Sequence, residues 1–344
     1  MRALRASLGA SRVGFVPTMG ALHAGHTGLL SRAQDGGCDF TVASIFVNPA
    51  QFAPHEDLSR YPRTWEADVA ALSAQDCSVI FAPSAADMYP PGAGFRSFVS
   101  LRGVDEGAPE GRARPGFFRG VATVVLKLLN IVAPTEAWFG QKDGVQCIVV
   151  RNMVRDLNVG TAVRIGPTAR ASDGLALSSR NAYLTQQQRQ HAGGIYAAMC
   201  AAKAEFDAAG GAAGAQRSAS APAAPALDAA AIERLAQSAA FGEGAASAAA
   251  AAPAPDSAPL EPCLERTRRA FLAGIERSGA FSGVEYCEFS DASTGTRLVN
   301  LRDSQAANGA VLMSVVVRMG AVRLLDNIML VGELDDLGVA SALR

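Results

Sequence analysis

Lysine is almost missing from this chain. Three occur among 344 residues (Lys127, Lys142 and Lys203), and arginine carries nearly all of the positive charge. The formal net charge is −1 and no basic stripe is present, which argues against a nucleic-acid partner. Histidine is scarce as well, with four in the chain. The six cysteines (Cys38, Cys77, Cys147, Cys200, Cys263 and Cys287) are scattered. None forms a C-x-x-C pair and no histidine stands at ligand spacing from one. A zinc site and a disulfide framework are therefore unsupported, and a reducing, cytoplasmic compartment is expected. Long apolar runs are lacking too. The most apolar helix-like stretch, residues 120–134, is too short to cross a bilayer and contains Lys127. The first twelve residues hold three arginines with no apolar segment behind them, so no secretory leader is read. What remains is a globular chain with room for two domains.

Short β-rich runs alternate with helical patterns in the first half. Strands are expected at 13–18, 40–47, 78–82, 137–140 and 162–167, and helices at 25–34, 64–75, 121–132 and 143–157. Val121, Val124, Val125, Leu128 and Leu129 follow the helical period, as do Val145, Ile148, Val149 and Met153. Such alternation predicts an α/β fold, a parallel sheet with helices on both faces and ligands at the carboxyl ends of its strands. Residues 208–262 are mostly Ala, Gly, Pro and Ser. They offer little large apolar surface against chain entropy and read as a largely disordered insertion, with one helical pattern at 227–241. These alanines inflate the hydrophobic fraction of 49%. A helix at 185–202 precedes the tract. A helix at 264–278 and strands at 284–289, 312–318 and 322–326 follow it, as in a smaller α+β domain. The domains are expected at 1–170 and 171–344, the second interrupted by the tract.

Four loops carry chemistry. In residues 16–26, VPTMGALHAGH, two of the four histidines stand three apart at a strand–turn–helix junction. A helix N-terminus offers unpaired N–H groups and a positive dipole end, and imidazoles add donors for a phosphate. In FVNPAQF, residues 46–52, Asn48 and Gln51 are amides at a strand end, suited to a small polar substrate, though Asn-Pro is also plain turn chemistry. In WFGQKDGVQ, residues 138–146, Lys142 can neutralise phosphate, Asp143 can accept from a ribose or simply cap a helix, and Gln146 lies one helical turn beyond Lys142. In LALSSRN, residues 175–181, Ser178, Ser179 and Arg180 form a polyphosphate clamp or an ordinary capped helix start.

The order and spacing of these motifs resemble the pantothenate synthetase (pantoate–β-alanine ligase) family, Rossmann-like nucleotidyltransferases with an H-x-G-H signature. The resemblance runs through PTMGALHAGH, SIFVNPAQF, YPRTWEAD, FFRGVATVVLKLLNIV, FGQKDGVQ, RNMVRDLN, DGLALSSRNAYL and VRLLDNI. It implies that pantoate, β-alanine and ATP give pantothenate, AMP and pyrophosphate through a pantoyl-adenylate. It also implies Mg2+ with the ATP, a homodimer, and no membrane or nucleic-acid partner. By match to the motifs, ATP contacts fall on Met19, Gly20, Ala21, Leu22, His23, Ala24, Gly25 and His26, on Gly140, Gln141, Lys142 and Asp143, on Ala169, and on Leu177, Ser178, Ser179 and Arg180. His26 is expected to donate to the departing phosphate, with His23 and Lys142 as its catalytic companions. Gln51 and Gln146 are expected to grip pantoate, and Gln51 to touch β-alanine. Asp68 is a candidate for the metal, set against a plain surface-helix acid, and Arg119 a weaker electrostatic candidate.

The sequence departs from the family pattern at two points in the site. Gln141 stands where members commonly carry Glu, and Ala169 where Val is usual. The chain also begins close to the first motif, without an opening strand. Two other readings stay open: an H-x-G-H nucleotidyltransferase acting on a phosphate acceptor, and a non-catalytic scaffold using the Ala/Pro tract. The two glutamines argue against the first, since a phosphate acceptor calls for Arg or Lys. The intact histidines, lysine and serines argue against the second.

Overall fold

A computed structural model describes residues 1–53, 56, 58–91, 94–104, 107–211, 260–304 and 309–334. Helix α1 (Arg2–Ser7) leads into β1 (Val13–Thr18), α2 (Ala24–Asp35), β2 (Phe40–Ile45), α3 (Trp65–Ser73) and β3 (Val79–Phe81). Two short helices, α4 (Ala85–Met88) and α5 (Pro109–Ala113), precede the long α6 (Phe117–Val132), β4 (Glu136–Gly140), α7 (Gly144–Asp156) and β5 (Ala162–Gly166). The five strands form one parallel sheet in the order β3-β2-β1-β4-β5. Strand order reverses between β1 and β4, and a crevice opens there at the carboxyl ends of the strands. Val13 and Phe15 on β1 are fully buried, as a central strand covered on both faces requires.

The second part of the chain is α8 (Gln186–His191), α9 (Gly194–Ala208), α10 (Pro262–Ser278) and the strands β6 (Gly283–Asp291), β7 (Val311–Met319) and β8 (Val322–Val331). The strands make an antiparallel sheet in sequence order. Ile195, Met199 and Phe206 of α9 join Phe271 and Ile275 of α10 and Phe289, Val315 and Val317 of the sheet in one core. Leu312, at the start of β7, belongs instead to the larger core around α6 and α7. The two cores therefore meet along β7.

The expected elements are present, with changes of extent: β8 runs on to Val331, five residues past the expected end, and β2 stops at Ile45. Helix α6 begins at Phe117, one turn before Val121, after Gly116 in the left-handed region. The helix expected at 185–202 is two helices, because the chain bends where Gly193 lies against the Asp173 carbonyl. Helix α1 precedes β1, where composition offered no signal. It is anchored by Arg5, whose Nε donates to the Ala133 carbonyl at 2.9 Å. The helical pattern at 227–241, and nearly all of the Ala-rich tract, lies outside the described residues. Among the described residues no helix is long and apolar enough to cross a membrane.

A buried ion cluster ties α5 to the second sheet. Glu110 on α5 is 5% exposed. It accepts from Arg323 on β8 at 2.8 and 2.6 Å and from the Tyr286 hydroxyl at 3.0 Å, with Arg114 at 3.4 Å. Burial alone would raise its pKa, but the hydrogen bonds and charge of Arg323, the charge of Arg114 and the Tyr286 hydroxyl hold it below the ordinary carboxylate range. Removing the acid takes the most buried carboxylate from two half-buried arginines, leaving Arg323 with Glu285 and Arg114 with Glu56. Glu110→Ala is expected to destabilise the fold by roughly 3 kcal/mol, read as a lowered Tm. An unchanged Tm would show that Glu285 and Glu56 compensate.

Candidate active site

The H-x-G-H turn is built by reciprocal capping. His23 is the N-cap of α2 and its Nδ1 accepts the Gly25 N–H at 3.2 Å, while the Nδ1 of His26 accepts the His23 N–H at 3.3 Å. A neutral imidazole whose Nδ1 accepts must carry its proton on Nε2. Both rings therefore keep an Nε2–H donor for the cavity they line. Glycine is required at 25, since a Cβ there would lie 2.9 Å from the His23 ring. The rings sit 4.1 Å apart. Burial lowers the His23 pKa to about 4, with help from Lys142 and opposition from Asp143. Burial, His23 and Lys142 lower His26 to about 3. In the free site His26 is thus neutral, with its Nε2–H turned to the cavity.

The turn before the helix is held from beneath. Asp68 is 2% exposed, and its carboxylate accepts from Ala21 N at 3.0 Å, Leu22 N at 2.8 Å and the Thr64 hydroxyl at 3.1 Å. It is not a surface acid: it is buried, and its oxygens accept from the loop backbone and Thr64. The loop residues differ in how they meet the cavity. Met19, His23, Gly25 and His26 line the cavity, whereas Gly20, Ala21, Leu22 and Ala24 shape the turn without lining it. Among the described residues no group of three His, Cys, Asp or Glu side chains is placed to hold a metal ion.

One cavity of about 210 Å³ collects the remaining loops. Gly140, Lys142, Asp143, Gln146, Ala169, Leu177, Ser178, Ser179 and Arg180 line it together with Gln51. Gln141 does not; its carbonyl faces β8, so the change from the family's Glu leaves the lining untouched. Lys142 pairs with Asp143 at 3.2 Å. One wall is an apolar slot made by Phe46, Val121, Val124, Val125, Leu128 and Phe139, edged by Gln51 and Gln146. A neighbouring cavity of about 530 Å³ shares Met19, Gln51, Lys142, Asp143, Gln146, Ser178 and Arg180 and reaches to β8. Arg119 lines neither cavity; it is exposed and stacks on Phe98 at 3.8 Å.

Asn48, read from sequence as a substrate amide or a turn residue, supports its neighbour, and Tyr61 was not assigned from sequence. Asn48 is 1% exposed and fully engaged. Its Nδ2 donates to Gln51 Oε1 at 3.0 Å and to the Gly120 carbonyl at 3.3 Å, and its Oδ1 accepts from the Tyr89 hydroxyl at 2.7 Å. It is a bracket for Gln51, with the Gln51 amide nitrogen left facing Met19. Tyr61 is 5% exposed and its hydroxyl lies 3.2 Å from the Ser179 Oγ, joining the segment before α3 to the serine loop. The tyrosine of YPRTWEAD was the available signal, but no spacing rule links it to Ser179.

The fold and the site define a nucleotide-binding α/β protein of the H-x-G-H type, with an apolar, amide-edged slot beside the phosphate loops. The chain belongs to the pantoate–β-alanine ligase family, whose model matches residues 1–329. It is 53% identical over 204 residues to a pantothenate synthetase of Chloroflexus aggregans, covering 59% of this chain and 72% of that one. It is 53% identical over 192 residues to a pantothenate synthetase of Pseudomonas paraeruginosa, covering 56% and 67%. Among solved structures, pantothenate synthetase from Thermus thermophilus superposes with a TM-score of 0.71 at 34% identity, over 96% of this chain and 97% of that one. A pantoate–β-alanine ligase from Francisella tularensis, complexed with β,γ ATP and β-alanine, superposes with a TM-score of 0.62 at 29% identity, over 96% and 94%.

Two outcomes are expected from this geometry. A Cβ on Gly120 would lie 2.3 Å from the Ala50 carbonyl oxygen and 2.8 Å from the Gln51 Cα. Gly120→Ala should therefore push the Gln51 turn away and lower kcat/KM for the acid substrate by about 10- to 100-fold, the scale of an ångström-level misplacement; an unchanged value would separate the turn from substrate binding. The histidines have folded pKa values below the ordinary 6.5. Their neutral forms favour the fold fully above pH 6.5, and this contribution is lost as pH falls towards 4 and then 3, because the unfolded chain takes up protons first. In the free protein, His26→Gln should flatten the fall of Tm between pH 6.5 and 4; an equal slope in variant and parent would contradict the assignment.

Proposed function

We propose that this chain condenses pantoate with β-alanine using ATP, through a pantoyl-adenylate. The observation that carries the reading is the convergence of the His23/His26 turn, Lys142, Ser178–Arg180 and the two glutamines on one cavity. A carboxylate is a poor acyl donor. Attack of a pantoate oxygen on the α-phosphorus expels pyrophosphate and makes that oxygen part of an AMP leaving group. The neutral amine of β-alanine then adds to the acyl carbon, AMP departs with the shared oxygen, and the amine loses a proton. Such a reaction asks the protein for positioning and charge stabilisation more than for a nucleophile.

In this reading Lys142, Arg180 and the Nε2–H groups of His23 and His26 draw charge from the triphosphate, while Ser178 and Ser179 hydrogen-bond its terminal oxygens. Asp143 faces the ribose and Ala169 the base. The gem-dimethyl carbon of pantoate fits the slot of Val121, Val124, Val125 and Leu128, with its hydroxyls and carboxylate on Gln51 and Gln146. Gln51 also borders the larger cavity, which gives β-alanine a side of approach. The β-alanine in the Francisella tularensis complex supports a shared amine site. Residues 1–170 hold nucleotide and pantoate, and residues 171–344 close over them.

Mg2+ accompanies the triphosphate in this reading and supplies charge neutralisation there. Asp143 is the carboxylate among the residues lining the first cavity and, with the serine hydroxyls, suits an ion that keeps most of its ligands as water and phosphate. The protein works as a homodimer in the cytoplasm. A phosphate acceptor is disfavoured by the apolar, amide-edged slot.

The test is pyrophosphate release. It is expected to require pantoate and not β-alanine, and Lys142→Ala should slow it at least about tenfold, the scale of one lost charge-assisted contact. Release without pantoate, or turnover of phosphorylated acceptors in its place, would contradict the assignment.

A further inference from the structure

The segment LLDNI on β8 belongs to the second sheet, yet its Asp326–Asn327 pair reaches both nucleotide loops of the first. Asn327 is 2% exposed. Its Nδ2 donates to the Gln141 carbonyl at 2.8 Å and to the Lys142 carbonyl at 2.6 Å. Its Oδ1 is buried without a partner. An unmatched oxygen in a dry place is costly. It is tolerated because the flipped amide would set that oxygen against two carbonyls. Gly144 makes the approach possible: a Cβ there would lie 3.3 Å from the Asn327 side chain and 2.9 Å from Leu312. One residue away, Asp326 receives Arg170 in a two-point pair at 2.6 and 3.0 Å, and Arg170 directly follows Ala169.

We propose that Asn327 is a positioning residue for adenylation: it fixes the peptide planes at Gln141 and Lys142, and so the direction in which Lys142 enters the triphosphate cavity. The inference rests on Lys142 contacting the triphosphate. Asn327 lines the larger cavity only, so its effect on the first cavity passes through the loop it clasps. Asp326 does the same for the loop at Ala169 through Arg170. The second sheet thereby aims groups of the first as well as covering them.

The test is a double-mutant cycle between Asn327→Ala and Lys142→Ala in the full chain, read as pantoate-dependent pyrophosphate release with kcat and the KM for ATP and for pantoate resolved. Asn327→Ala is expected to lower kcat/KM for ATP at least tenfold and to leave the KM for pantoate within about twofold. In the Lys142→Ala background the same change should cost less than about threefold, because the lysine it aims is gone. A general loss of order would instead lower the rate equally in both backgrounds, and that additivity overturns the proposal, as does a parental rate for Asn327→Ala. Asn327→Ser, which keeps one donor, serves for the same cycle if the alanine variant does not fold. A parental rate for Lys142→Ala would overturn the lysine's own role and the proposal with it, whereas a slow Lys142→Ala with additive losses overturns the proposal alone.

Discussion

At the head of α2, His23 and His26 each use Nδ1 to cap backbone N–H groups of their own turn. This reciprocal cap is the constraint on which the site depends. It fixes the tautomer, and burial beside Lys142 keeps both rings neutral, so two Nε2–H donors stand in the cavity without added charge. Two imidazolium ions at 4.1 Å would repel each other strongly. The helix start therefore offers a phosphate side-chain donors, because part of its backbone supply is used in the cap. Asp68 completes the arrangement by holding Ala21 and Leu22 from the buried side.

The rest of the site is assembled by similar brackets. Asn48 presents Gln51, with Tyr89 behind it. Tyr61 meets Ser179. Asn327 holds the carbonyls at Gln141 and Lys142, and Asp326 holds Arg170. Each bracket is a buried polar group with at least one partner from a distant stretch of chain. Removing one strands its partners, so the groups aimed at the cavity are supported by interactions that are expensive to break. The Glu110 cluster plays the corresponding part between α5 and the second sheet.

Much of this was legible in the chain itself. Alternating strands and helices predicted the parallel sheet, and the four loops fell at its carboxyl ends, because hydrophobic period and turn residues are local signals. Of the motif residues 19–26, Gly20 to Leu22 form the turn and do not line the cavity, and a motif does not reveal which of its residues face inward. Asp68 looked like a surface helix acid; only the fold shows the backbone N–H groups waiting for it. Tyr61 and Asn327 lie over a hundred residues from the groups they touch, and no periodicity carries that information. Helix α1 has no apolar face of its own to announce it.

The central claim is that both histidines of the H-x-G-H turn are neutral Nε2–H tautomers in the free protein. Nitrogen-detected NMR of the imidazoles over pH 4.5 to 8 tests it directly, with His23 and His26 assigned by substitution among four histidines. The account predicts that both stay neutral across nearly all of this range, with Nδ1 unprotonated. An imidazolium at either position at pH 6, or a proton on Nδ1, would contradict it.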